Sequence, residues 1–313
     1  MEEGYNVVQG YIDSKNPDDT WISFAYSFAF WSQNRMYQLA RRNLGLSNQL
    51  GGTGFAIKTS VIKKFGFGAT CLAEDLELTC KLILNNQKVG WCHDAVIYDE
   101  KPLTMKQSWV QRRRWMQGFS DVASRYFFKL IKKAIVERKF YVLDCAIYVI
   151  QPYFTVMIGL SSVTILLASL LSVNNLITLN DILNNISGTL AIIFILLQMY
   201  IIPISLRLDK KIDLSFLFGL IIYSSSVIIT PFISKVFLYM GISVNQTLIS
   251  LMLLIISVMV SGFSNVKLFV YYIFYAFYNV TWVPISIQGI MKRKNKEWNP
   301  TKHIRNIKIY DIE

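Results

Sequence analysis

From residue 141 to residue 291 the chain is dominated by Ile, Leu, Val, Phe, Tyr and Ser, in five apolar stretches at about 145–171, 188–206, 214–233, 247–263 and 267–289. Each approaches the ~20 residues an α-helix needs to cross a bilayer, where the backbone must satisfy its own hydrogen bonds. That half of the chain is therefore expected to form a helical membrane bundle. Residues 1–140 instead have the mixed composition of a polar-surfaced domain, and the change falls where "KLIKKAIVERK" meets "FYVLDCAIYVI". The overall hydrophobic share of 53% is an average over two unlike parts.

The net charge of +12 is localised in the same way. From Lys101 to Lys139 there are eleven Lys or Arg against two acids, and the tail "KRKNKEWNPTKHIRNIK" forms a second basic cluster. Basic segments beside apolar spans suit the anionic cytoplasmic face of a membrane and argue against nucleic acid as a partner. The loop at 172–187 has no Lys or Arg, whereas "RLDKKID" at 207–213 has three, so the first is expected outside and the second inside. With the polar domain and the tail both cytoplasmic, the number of complete spans must be even. Four are expected in the cell membrane, with the aromatic-rich 267–289 stretch re-entrant or interfacial. The candidate intramembrane charges are Lys235, just past the 214–233 stretch, and Lys267, which borders another, and this scarcity argues against a channel or transporter. The cysteines (Cys71, Cys80, Cys92, Cys145) lack metal-ligand spacing and read as reduced thiols.

In the polar part "NVVQGYI" is β-branched enough to be a strand. Asn16 and Pro17 are expected to open a helix through "WISFAYSFAFWSQNRMYQLARRN", with Asp18 and Asp19 as its first-turn carboxylates. A glycine-rich turn follows, in which Gly51, Gly52 and Gly54 allow close backbone approach to a ligand, then a short strand and a short helix. "LELTCKLILNN" is helical, "QKVGWCHDAVIYDE" is a strand, and "KPLTMKQSWVQRRRWMQGFSDVASRYFFKLIKK" is a long amphipathic helix. Its stripe of Trp115, Phe119, Val122, Tyr126 and Leu130 suits either a membrane interface or packing against the polar domain.

Two features carry chemistry. "CLAEDLELTC" sets Glu74 and Asp75 among apolar residues, an expensive place for charge. Taken alone, Asp75 is equally a carboxylate answering a helix dipole. Thirty-six residues on, "QRRRW" puts Gln111, Arg114 and Trp115 on one helix face. An amide and an indole bind and stack with a sugar or base, an arginine fork grips a diphosphate, and a carboxylate opposite can deprotonate a hydroxyl. Arg112 and Arg113 read as a solvated or lipid-facing basic face.

"LAED…QRRRW" ahead of several membrane spans resembles the membrane-bound family 2 glycosyltransferases, the group that includes cellulose, chitin and hyaluronan synthases. "QLGGTGFAIKTSVIKKFG" is similar to their acceptor-side loop, with Gly52, Thr53 and Gly54 against the substrate, and "WNPTKHIR" is similar to the tail of bacterial members. The resemblance implies an α/β fold: the C-terminal half of a GT-A-like domain (1–104), an interfacial amphipathic helix with QxxRW (105–140), a transmembrane α-helical bundle (141–291) and a basic cytoplasmic tail (292–313). It implies Asp75 as catalytic base with Glu74 its motif neighbour, and Gln111, Arg114 and Trp115 holding the nucleotide diphosphate and shaping the acceptor channel. The implied reaction is an inverting transfer from a nucleotide-sugar donor to a saccharide or lipid acceptor among membrane lipids. Mg²⁺ or Mn²⁺ would neutralise the leaving group, with its ligands outside this chain. Two departures stand out. Ala73 replaces the usual Thr or Ser, and no DxD precedes Asp75. The expectation is the C-terminal piece of a synthase, through truncation, a split gene or a misplaced start, inactive alone and partnered in the split case by a separate N-terminal half. The alternative is a non-catalytic membrane subunit of a polysaccharide synthesis or export complex.

Overall fold

β1 (Val7–Ser14) is the central strand of a three-stranded sheet. It pairs antiparallel with β2 (Phe55–Ile57) and parallel with β3 (Val89–Asp99). The structure, a computed structural model, describes residues 4–66, 70–170 and 197–295. Between β1 and β2 run α1 (Trp21–Gln33), a π-helical turn at Asn34–Leu39 and α2 (Ala40–Asn43), the continuous helix that the sequence implies with its ladder loosened midway. α3 (Thr59–Phe65) and α4 (Glu74–Leu84) lead to β3. Because α4 is the return element before a parallel strand, its N-terminus comes back to the edge where β1 and β3 end, the usual edge for ligands in such sheets.

The expected start of α1 is corrected. Its cap is Thr20, in a capping box with Ser23, and no acid stands in its first turn. Asn16 is buried and engaged elsewhere. Its amide brackets Lys101, accepting from the Lys101 N–H at 2.8 Å and donating to the carbonyl at 2.9 Å. A side chain committed across the fold cannot also cap a helix. Asp18 and Asp19 sit in the loop ahead of the cap.

α5 (Met105–Glu137) is capped by Thr104 and runs for 33 residues. Its stripe of Phe119, Val122, Tyr126 and Leu130 packs inward, against Leu76, Cys80 and Ile83 of α4 and Val142, Cys145 and Val149 of α6 (Phe140–Val149). Of the two placements the sequence left open for that stripe, packing against the domain is the one observed. A different apolar set, Phe128, Ile135, Val136 and Phe140, faces outward beside the basic residues.

α6 and α7 (Gln151–Leu170) meet at a 60° bend, where Pro152 in the first turn of α7 cannot extend the preceding hydrogen-bond ladder. Further on lie α8 (Ile202–Leu208), α9 (Leu214–Tyr239), α10 (Gln246–Ser261), α11 (Val266–Val280) and α12 (Trp282–Met291). Among the described residues two segments are long and apolar enough to cross a membrane, Leu214–Tyr239 and Phe263–Met291, or three if the bent pair counts as one. The 267–289 stretch, expected to be re-entrant or interfacial, lies in one of these long segments, and 145–171 contains the sharply bent pair. The 172–187 loop, much of the 188–206 stretch and the tail from 296 lie outside the described residues.

The chain divides into two compact units, Leu167–Tyr275 and the remainder, Met1–Leu166 with Ala276–Glu313. Within the first, Asp213 caps α9, and hydrogen bonds from Ser215 to the Ser261 carbonyl and between Thr230 and Ser250 join α9 to α10. Within the second, α12 packs along α5. Trp109 donates to Gln288 at 3.0 Å, Gln117 donates to the Lys292 carbonyl at 3.2 Å, and Gly289 leaves room for Met116.

Candidate active site

α4 begins without a side-chain cap, because Ala73 occupies that position. Its first turn therefore presents open N–H groups, together with Glu74, Asp75 and Glu77. The three acids have separate environments. Glu77 is buried and saturated: it accepts from the Thr70 hydroxyl at 2.8 Å and from Arg125 at 3.1 Å and Tyr126 at 3.2 Å on α5, with Lys81 at 3.1 Å. Burial pushes its carboxyl up, but the bonds from Thr70, Arg125 and Lys81 prevail and hold it at about 2. Glu77 is thus a permanent anion that locks α4 to α5.

Asp75 is half-buried and has no such escort. Burial raises its carboxyl to about 6, and the Glu74 charge adds to the rise. The Leu76 N–H, 2.7 Å from Oδ1, and the positive charge of Arg114 act against it. A carboxylate poised near neutrality, with a cation beside it, can accept a proton and release it again.

The glycine loop closes over this group. A Cβ on Gly52, which has φ +75°, would lie 3.4 Å from Asp75 Oδ2, so the bare backbone there is exposed and abuts the acid. The loop is held from below by Gln9, fully buried at the middle of β1. Its Oε1 accepts from Gly51 N–H at 2.9 Å, and its Nε2 donates to the Thr53 and Gly54 carbonyls at 2.9 and 3.2 Å. Thr79 ties the loop to α4, accepting from Leu50 N–H and donating to the Asp75 carbonyl.

Of the residues singled out from sequence, Gly52 lies against Asp75, and Arg114 acts on Asp75 through its charge. Gln111 keeps a buried Oε1 that no described residue hydrogen-bonds. Trp115 enters an aromatic group, edge-on to Tyr26 and Phe30 of α1 and stacked at 21° on Trp282 of α12. Thr53 contributes its carbonyl to the Gln9 clamp, and Glu74 acts on Asp75 through its charge. The expectation for Arg112 is overturned: it is fully buried, with its guanidinium 4.0 Å from the Tyr278 ring centre and 4.9 Å from that of Trp282. The cause is helical phase. Trp109, Arg112 and Met116 share the α5 face that α12 covers.

Sequence reasoning missed Gln9, Glu77, Tyr278 and Trp282. An amide inside a β-branched strand and a third acid inside an apolar helix are weak signals for the first two; the aromatic pair lies far along the chain. Among the described residues no three His, Cys, Asp or Glu side chains gather as a metal-binding group. These residues do not by themselves make a divalent-cation site.

Residues 1–285 match the profile of "Glycosyl transferase family group 2". A 94-residue segment is 37% identical to a probable glycosyltransferase, YdaM, of Bacillus subtilis (strain 168), covering 29% of this chain and 22% of that protein. An 82-residue segment is 30% identical to an uncharacterized glycosyltransferase, YaiP, of Escherichia coli (strain K12), covering 24% of this chain and 21% of that protein. The matched segments thus span about a fifth of the length of these curated relatives. With a match across most of its length, the chain belongs to glycosyl transferase family group 2.

Proposed function

We propose that the protein transfers a sugar, with inversion, from a nucleotide-diphosphate sugar to a hydroxyl of a saccharide or lipid acceptor at the cell membrane, in the manner of the polysaccharide synthases, with its catalytic part cytoplasmic. The observation that carries this is Asp75, raised to about 6 beside Arg114 and under the exposed Gly52 backbone. Asp75 takes the proton from the acceptor hydroxyl as that oxygen attacks C1 of the sugar. The bond from C1 to the diphosphate oxygen breaks, the nucleoside diphosphate leaves, and Asp75 returns the proton to water. Arg114 and Gln111 hold the departing diphosphate, and the Trp115 face carries the acceptor sugar. The donor's base and metal contacts are assigned to the first half of the GT-A domain, which the resemblance implies for a complete synthase. The outward set Phe128, Ile135, Val136 and Phe140 on the basic helix supports seating of its end in the membrane interface.

The test is sugar transfer by the protein in lipid nanodiscs, supplied with that half in fused or co-expressed form. Asp75→Asn keeps the shape of the group and removes its basicity, so transfer should stop while UDP binding persists. Full turnover by Asp75→Asn would return the acid to a structural role. Absence of transfer by the unsubstituted protein from every UDP-sugar would favour the non-catalytic subunit.

A further inference from the structure

Arg112 is an electrostatic anomaly. A guanidinium removed from water ordinarily keeps a carboxylate beside it, since an unpaired buried ion is costly. Among the described residues Arg112 has none. Its Nη1 donates weakly to the Tyr278 carbonyl at 3.4 Å, its Nη2 lies 3.7 Å from Met105 Sδ, and no described residue hydrogen-bonds its Nε. The Tyr26 hydroxyl lies within its reach. An apolar side chain of similar length would fill this space without the cost of a charge, so packing alone does not account for the cation.

What a cation adds is a directional hold on aromatic faces, and the planar guanidinium does this best. The rings it holds lead to the candidate site. Trp282, beneath the guanidinium, stacks on Trp115 with centroids 6.5 Å apart. Tyr278, the closer ring, stands edge-on to Trp282 at 89° and edge-on to Tyr26 at 63°. Tyr26 in turn stands edge-on to Trp115. Both routes from Arg112 end on the same indole.

We propose that Arg112 is a positioning residue whose charge fixes Tyr278 and Trp282, so that Trp282 backs Trp115 and sets the tilt of the face on which the acceptor sugar stacks. The last step rests on the reading of Trp115 given under Proposed function; the ring clamp itself does not.

The test uses the full chain in nanodiscs with the N-terminal half supplied as under Proposed function, and two readouts. The stacked indoles should give an exciton couplet in circular dichroism, assigned by its disappearance in Trp115→Phe. The saccharide affinity is read by tryptophan quenching with cellotetraose or chitotetraose as probe. Arg112→Met should abolish the couplet and weaken binding of whichever probe binds the unsubstituted chain by about tenfold, the order of one desolvated cation–π contact. UDP binding should not change, which separates this from general disruption. Arg112→Lys should retain part of the couplet. Tyr278→Phe keeps a π face and should behave as the unsubstituted chain, while Tyr278→Leu should repeat the effect of Arg112→Met. That pair decides the matter if Arg112→Met fails to fold. A couplet that survives both Arg112→Met and Tyr278→Leu would overturn the clamp. A lost couplet with unaltered saccharide binding would leave the clamp standing and overturn the acceptor face.

Discussion

Gly118 and Ala73 meet with no side chain between them: a Cβ on Gly118 would lie 2.5 Å from the Ala73 Cβ and 2.6 Å from the Ala73 nitrogen. Ala73 is the residue before the acid pair, and Gly118 stands three residues beyond Trp115. Their contact presses the uncapped start of α4 onto α5, which is how Asp75 comes within range of Arg114. The hydroxyl missing at position 73 therefore has a structural counterpart, because the α5 backbone fills the space beside this cap.

Gly118→Val should force α4 away from α5. Overpacking of this kind costs roughly 1–3 kcal/mol, to be read as a lower melting temperature in detergent. Ala73→Gly in the same background should recover part of the loss by removing one of the clashing atoms. If Gly118→Val melts like the unsubstituted protein, the close approach is not what joins the two helices.

The acids of α4 should respond to pH in opposite directions. Asp75 is raised from 3.8 to about 6 by burial, so the folded protein holds this proton more tightly than the unfolded chain does. Its ionisation is a stability cost that is absent below 3.8 and complete above about 6. Asp75→Asn should consequently stabilise the protein at pH 8 and leave it nearly unchanged at pH 4, as chemical denaturation would show. In the active assembly, transfer should decline as pH falls through about 6, because the base becomes protonated.

Glu77 has the reverse sign. Its folded value of about 2 lies below the ordinary 4.5, so the stability it contributes is present above 4.5 and lost as pH falls towards 2. Glu77→Gln leaves Arg125 and Lys81 facing a neutral amide and should cost on the order of 3 kcal/mol at pH 7, as breaking a buried pair does. That gap should close between pH 4.5 and 2. A constant difference across this range would mean that the loss comes from shape and not from charge.

The contrast between these acids marks where sequence stops being informative. "EDLELT" shows three carboxylates, and only the partners on α5 distinguish a locked anion from a poised base. Local signals suffice where local physics governs: the strand through "VVQGYI", the helix from Trp21 and the glycine loop all have periodicity or backbone chemistry behind them. The errors arise where a distant segment decides. Asn16 has the chemistry of a cap, but Lys101 claims its amide. Arg112 reads as solvated because nothing in "QRRRW" reveals that Tyr278 and Trp282, more than 160 residues away, close over it. Composition likewise gives apolar length, and the bend between Phe140–Val149 and Gln151–Thr164 is set by Pro152.

The arginines of "QRRRW" give the last expectation. Arg112 is enclosed by rings, Arg114 acts on Asp75, and Arg113 is half-buried on another part of the helix. If Arg114 grips the diphosphate through its planar fork, Lys cannot reproduce the bidentate geometry although it retains the charge. Arg114→Lys should then lower transfer by roughly tenfold or more, the worth of one charge-assisted hydrogen bond. It should also weaken UDP binding, since the leaving group is what the fork holds. Arg113→Lys should leave both close to the unsubstituted values. Measured side by side in nanodiscs, equal losses at the two positions would remove the geometric basis for assigning Arg114 to the donor. A loss at 114 confined to turnover, with UDP binding intact, would assign Arg114 to the support of Asp75 instead of to the diphosphate.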